Sequence, residues 1–213
     1  MNRSWLVQVI KAVPSVKPLL SDLTLHELGE IKTVDYYNRR LMTLVQERYD
    51  GERTDEEFIA AFTLLMATQL TKAFEQGAQD VGGELDTETL LELEKYKQDE
   101  NEYTRNLLAA ILLAIAAGVG YEAFKVRAEM WANRFLDARN RAMVMVGRRR
   151  NVMLTWHEGD TKEKCTDCVG YDGQTRTATE WDILYQVTGH KPQARGLECK
   201  GYNCRCSLDV AKP

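Results

Sequence analysis

The chain has 213 residues, 44% hydrophobic and 28% charged, with only 4 prolines, which excludes a disordered or collagen-like protein and leaves room for one core plus a small appended unit. Its formal net charge of −4 is unevenly spread: residues 1–106 carry 12 basic and 20 acidic side chains, and residues 107–213 carry 16 and 12. A dedicated nucleic-acid binder would be basic across a whole domain, so an acidic front and a mildly basic back point to a partner-facing protein.

The N-terminus, Met1-Asn2-Arg3-Ser4-Trp5-Leu6, has neither a long apolar stretch nor a small-residue cleavage site, and no signal peptide is expected. Pro14 and Pro18 interrupt the start. Leu20, Leu23, Leu25 and Leu28, then Ile31, Val34, Tyr37, Leu41 and Val45, follow helical spacing. Asp50-Gly51 is a turn. Thr54-Asp55-Glu56-Glu57 is a capping-box sequence, and Phe58, Phe62, Leu65, Gln69 and Ala73 then share one helical face. Gly82-Gly83 ends that helix, and Asp86-Thr87-Glu88 starts the next, leading into Leu90, Leu91, Leu93 and Tyr96. The polar patch Gln98-Asp99-Glu100-Asn101-Glu102 is expected to break or expose this helix.

Leu107 to Tyr121 is an unbroken apolar run, shorter than the roughly 18–20 residues that span a bilayer, so it reads as a buried core helix with no membrane role. Gly118 and Gly120 punctuate it. From Tyr121 to about Arg149 one helix is expected, with Phe124, Ala128, Trp131, Phe135, Ala138, Ala142 and Met145 on one face and Arg127, Arg134, Arg141 and Arg148 on the other. Arg134, Arg141 and Arg148 are the expected partner-binding residues. The run Arg148-Arg149-Arg150 also suits a solvated helix end, where cations offset the dipole.

The last 63 residues change character. Gly159, Gly170, Gly173, Gly189, Gly196 and Gly201 make the segment loop-rich. Tyr171-Asp172-Gly173-Gln174 reads as a hairpin turn and Thr179-Glu180-Trp181-Asp182 as a short helix start, with Trp156 and Trp181 as core. A unit this small and polar needs a metal or a cross-link. All 5 cysteines lie here: Cys165 and Cys168 in Cys-Thr-Asp-Cys, then Cys199, Cys204 and Cys206. A CxxC facing a second cysteine cluster about 30 residues on has the spacing of a structural zinc site, because one tight turn aims two thiolates at one ion. The preferred ligands are Cys165, Cys168, Cys199 and Cys204. Cys204 and Cys206, alternating along an extended strand, would point to opposite sides. Cys206 is the alternative for Cys199 or Cys204, His157 and His190 are further alternatives, and disulfides in the same residues are the competing arrangement. The fold expected is mainly α: a helical body over 1–150, with subdivisions near 50 and 83–86, and a small loop-rich α+β, cysteine-pinned unit over 151–213.

Catalysis has no evident machinery. The 3 histidines, His26, His157 and His190, fall in no metalloprotease motif, and neither a nucleophile elbow nor a phosphate-binding loop occurs. Glu158 and Asp160 beside His157 read as a polar loop.

Gly118-Val119-Gly120, the arginine-bearing stretch from Arg139 to Val146, Trp156, Cys165-Thr166-Asp167-Cys168, Asp172-Gly173-Gln174 and Asn203-Cys204-Arg205-Cys206 occur in one order. In that order they resemble the head-morphogenesis (Mu F-like) minor head proteins of tailed phages. That family ends in His-Pro-Asn-Cys-Arg-Cys, where this chain has Gly201 and Tyr202, and Cys199 is the natural substitute for the missing histidine. The resemblance covers under half of the chain. It implies a non-enzymatic minor capsid protein in the virion head, bound to the portal and other head proteins, with packaged DNA as a further partner of the arginine-rich helix. The alternatives from other classes are a zinc-dependent nucleic-acid-binding module and a phage-encoded enzyme or toxin.

Overall fold

A computed structural model of the chain describes residues 33–161, 164–201 and 204–212, without the side chains of 125–129. The helical spacing read before Thr33, and His26 with it, lies outside the described residues.

The body consists of α1 (Val34–Tyr49), α2 (Asp55–Asp80), α3 (Thr87–Ala116), α4 (Glu122–Ala132) and α5 (Arg134–Arg150). Local chemistry sets the starts. Thr33 caps α1, the Thr54–Glu57 capping box forms on both sides at α2, and the Asp86 carboxylate accepts the Thr89 amide at α3. Gly82 takes a left-handed φ of 71° just past the end of α2, a conformation that costs other residues more than glycine. Tyr37, Leu41 and Val45 of α1 pack with Phe58, Phe62, Leu65, Leu70 and Phe74 of α2, and with Leu93, Leu107, Leu108, Ile111, Phe135 and Ala138. At about 1.5–3 kcal/mol for each large side chain, this burial is the main source of the body's stability.

Of three expectations about the body, one holds and two change. Helix α3 runs unbroken through the polar patch, which it exposes at Gln98, Asp99, Asn101 and Glu102 as expected, while Glu100 alone of the five turns inward and meets Arg134 at 3.1 Å. The apolar run is buried on one face only: Leu107, Leu108 and Ile111 are covered while Leu113 is 72% exposed. No helix among the described residues is long and apolar enough to cross a membrane. Third, the helix expected from Tyr121 to Arg149 is two. It breaks at Asn133, and the buried Gln69 amide donates to the Trp131 and Ala132 carbonyls at 3.1 and 2.7 Å. These are carbonyls that a helix end would otherwise leave unpaired.

The tip is a three-stranded antiparallel sheet in the order β2-β1-β3, with β1 at Met153–His157, β2 at Thr175–Thr177 and β3 at Ser207–Val210. Between β1 and β2 lies the short helix α6 (Thr166–Tyr171), and after β2 comes α7 (Ala178–Thr188). The turn at 171–174 forms, with Gly173 at φ 73° and its amide on the Trp156 carbonyl at 2.9 Å. The cap of α7 is Thr177, whose capping box with Glu180 starts that helix before Thr179. Trp156 and Trp181 pack as expected core with their rings tilted and 5.5 Å apart, and the Trp181 indole donates to the Leu154 carbonyl at 2.9 Å.

Body and tip share a seam. The tip's core cluster includes Ala78 and Val81 at the end of α2 and Met143 and Val146 of α5. Helices α2 and α5 come so close that a Cβ at Gly77 would strike the Arg139 carbonyl. Arg139 itself bonds Asp80 at 2.6 Å, the Leu208 carbonyl at 3.1 Å and Asp209 at 3.0 Å.

Candidate metal centre

The CxxC begins where β1 hands over to α6. Cys165 is the N-cap of α6 and Cys168 lies one turn in, so both sulfurs face the same side. A reciprocal clasp fixes the distant loop against this turn. The Thr166 amide donates to the Glu198 carboxylate at 2.9 Å, and the Glu198 amide donates to Asp167 at 2.7 Å. That clasp brings in Cys199.

Cys204 and Cys206 arrive from the segment entering β3. Helix α5 positions them: Asn140 donates to the Cys206 carbonyl at 3.3 Å and accepts the Leu208 amide at 2.9 Å, and Gln193 donates to the same Cys206 carbonyl at 2.7 Å. Glycines make the room. A Cβ at Gly159 would overlap the Arg205 backbone, and Gly201, at φ 73°, sits against the Gln193 carbonyl. The expectation that Cys204 and Cys206 point apart does not hold, because strand β3 begins only at Ser207 and the preceding backbone is irregular.

Two groups of three sulfurs result, Cys165, Cys168 and Cys199, and Cys168, Cys204 and Cys206, each with its sulfurs within 4.8 Å of one another. The expected quartet is therefore divided, with Cys204 in the second group beside Cys206. All five cysteines are free thiols. Neither His157, 3.8 Å from Asp209, nor His190, whose Nδ1 meets the Tyr171 hydroxyl at 2.9 Å, belongs to a group. The chemistry of five converging thiols is that of a metal-binding cluster.

Ionisation follows the geometry. Bonds from Cys168 and Cys204, the Gly159 amide and the nearby Trp156 indole bring the Cys206 thiol down to about 3, against the effect of burial. The Cys168 bond favours the Cys204 thiolate, but Cys206 and burial outweigh it and push Cys204 up to about 12. Burial opposes ionisation of Cys165, and the Cys168 and Cys199 amides overcome it and lower its pKa. A metal ion binds thiolate, and the lowered pKa values of Cys206 and Cys165 favour that form there.

Each of the three expected partner-binding arginines carries ion pairs within the chain. Arg134 pairs with Glu100 and Asp137 at 3.1 and 3.6 Å, Arg141 pairs with Glu92 and stacks over Tyr96, and Arg148 pairs with Asp182 and Glu88. These groups join α5 to α3 and α7. Around them, Tyr96 donates to Asp137 at 2.7 Å and Lys191 lies 3.1 Å from its other oxygen. This ionic seam, with Asn140 and Gln193 behind the cysteines, is an arrangement that the sequence analysis did not anticipate. Its only sequence signal is the polar pair Asp137 and Asn140 flanking the apolar Ala138 on the arginine-bearing helix.

No family model, curated protein or solved structure matches this chain.

Proposed function

We propose that the chain is a non-catalytic structural protein whose C-terminal tip is pinned by zinc, and that it serves as a minor head protein of a tailed phage or prophage, bound to the portal. The observation that carries this reading is the convergence of all five cysteines into one cluster beside Trp156. Several of the residues behind the motif resemblance are thereby brought into one unit: Trp156 in the core, the CxxC on α6, the turn at Gly173 against the Trp156 carbonyl, and the cysteines before β3.

Zinc suits the site because soft thiolates in a buried cluster select a d10 ion over oxygen-seeking cations. A non-catalytic role is supported by the fate of the polar loop that could have hosted chemistry. The Glu158 carboxylate is engaged by Lys164, and its amide donates to Asp172 at 2.8 Å.

The test has two parts. Purified protein should contain zinc, and tagged protein expressed in its native source should copurify with portal and head proteins. Copurification with a replication or nucleic-acid-processing complex, or turnover of a nucleotide lost in Glu158→Gln, would overturn the structural role.

A further inference from the structure

The number of ions in the cluster is a separate question, and its answer rests on the metal reading above. A zinc–thiolate bond is about 2.3 Å, so four sulfurs around one tetrahedral ion lie about 3.8 Å from one another. Cysteines arranged for one such ion would form a group of four in mutual reach. Among the described residues no such group exists. Mutual proximity stops at three, it does so twice, and Cys168 is the vertex common to both groups.

We propose that the cluster takes two zinc-type divalent ions: an inner one held by Cys168, Cys204 and Cys206 and an outer one held by Cys165, Cys168 and Cys199, with the Cys168 thiolate bridging them. Each metal–sulfur bond forms as a thiol gives up its proton to solvent. Charge favours the arrangement. Four thiolates around one divalent ion leave a double negative charge, with a fifth thiol idle beside it. Five thiolates around two divalent ions leave a single negative charge, and buried charge is costly.

The two ions differ in surroundings. The inner sulfurs are at most 5% exposed, and the Asn140–Gln193 clamp on the Cys206 carbonyl holds them from behind. Cys165 and Cys199 are half-buried, so the outer ion would lie nearer to water than the inner one. The outer ion is the one that a chelator reaches first. The Thr166–Glu198 and Glu198–Asp167 clasp helps set how readily it leaves, because that clasp ties the Cys199 loop to the CxxC turn from both sides.

The full chain, purified with zinc, should carry two ions by native mass spectrometry and elemental analysis. Replacement by spin-active cadmium should give two resonances split by each other through the shared sulfur. A colorimetric chelator should remove zinc in two phases of equal amplitude. Cys199→Ser, a change at a half-buried position, should bind one ion, lose the fast phase and keep the tip folded. Glu198→Gln, which touches no sulfur, should speed the fast phase alone. One ion per chain with a single unsplit cadmium line would overturn the two-ion site and leave a metal-pinned tip standing. Metal-free folded protein would overturn both.

Discussion

The body and the tip solve the same problem by different means. The body buries large side chains: Phe58, Phe62, Phe74 and Tyr37 lie within one continuous cluster that four long helices can build from their own sequence. The tip has strands of five, three and four residues, and its core leans on Met143 and Val146 from α5 and on five cysteines. A sheet this small gains too little from burial to offset its ordering entropy, and the proposed metal would add the missing stability. The comparison teaches that the two regions are stabilised by separable chemistries, yet are joined along α5.

The largest expected effect follows from removing the metal. Chelation, or Cys206→Ser, should collapse the dispersion of amide signals over 151–212 while the helical circular dichroism of α1–α3 persists. Loss of helix in proportion to loss of tip structure would mean that the two regions do not separate.

Next comes the ionic seam. Removing the cation in Arg134→Met leaves Glu100 and Asp137 buried and undercompensated. The expected loss is about 3 kcal/mol by denaturant titration, the lower end for a broken buried pair because Arg134 keeps some contact with water. A loss below about 0.5 kcal/mol would return these arginines to the status of solvated charges.

Gly77→Ala probes the seam by shape. Its new methyl meets the Arg139 carbonyl with no flexible side chain to yield, and overpacking of this kind costs about 1–3 kcal/mol. Gln69→Ala should cost about 1–3 kcal/mol by stranding two carbonyls at the α4–α5 break.

The smallest effect is in pH. Burial pushes the Asp137 carboxyl up, but Lys191, Arg134 and the Tyr96 hydroxyl outweigh it and hold its pKa below the usual range. Its stabilisation is present above the unfolded value of about 3.9 and is lost as pH falls through the lower folded value. Glu100 behaves oppositely. Burial raises its pKa despite Arg134, so its contribution is full below about 4.3 and is lost as pH rises through the raised folded value. Glu100→Gln should therefore flatten the rise in melting temperature on acidifying from neutral pH. An unchanged slope would show that another group titrates there.

Much of the body was legible in the sequence, because its helices carry strong local signals. The Thr54 box, Asp86 and the glycines after α2 fixed boundaries without tertiary help. The break at Asn133 was not legible, since its support comes from Gln69, more than 60 residues away, and no local pattern reports that bond. Glu100 in the polar patch misled for the same reason: it reads as solvated until Arg134 is placed beside it. In the tip, cysteine spacing located the cluster but could not choose among five sulfurs. That choice depends on the clasp of Asp167 with Glu198 and on Asn140, neither of which has a sequence signature. The arginine stripe was correctly periodic, but periodicity does not say whether carboxylates from α3 and α7 will meet it.

Hydrogen exchange measured by mass spectrometry on the intact chain, with and without chelator and alongside its zinc content, tests the central claim most directly. The account predicts bound zinc, loss of protection over 151–212 when it is stripped, and retained protection over 55–116. Protein that binds no metal, or whose two regions keep or lose protection together, would contradict it.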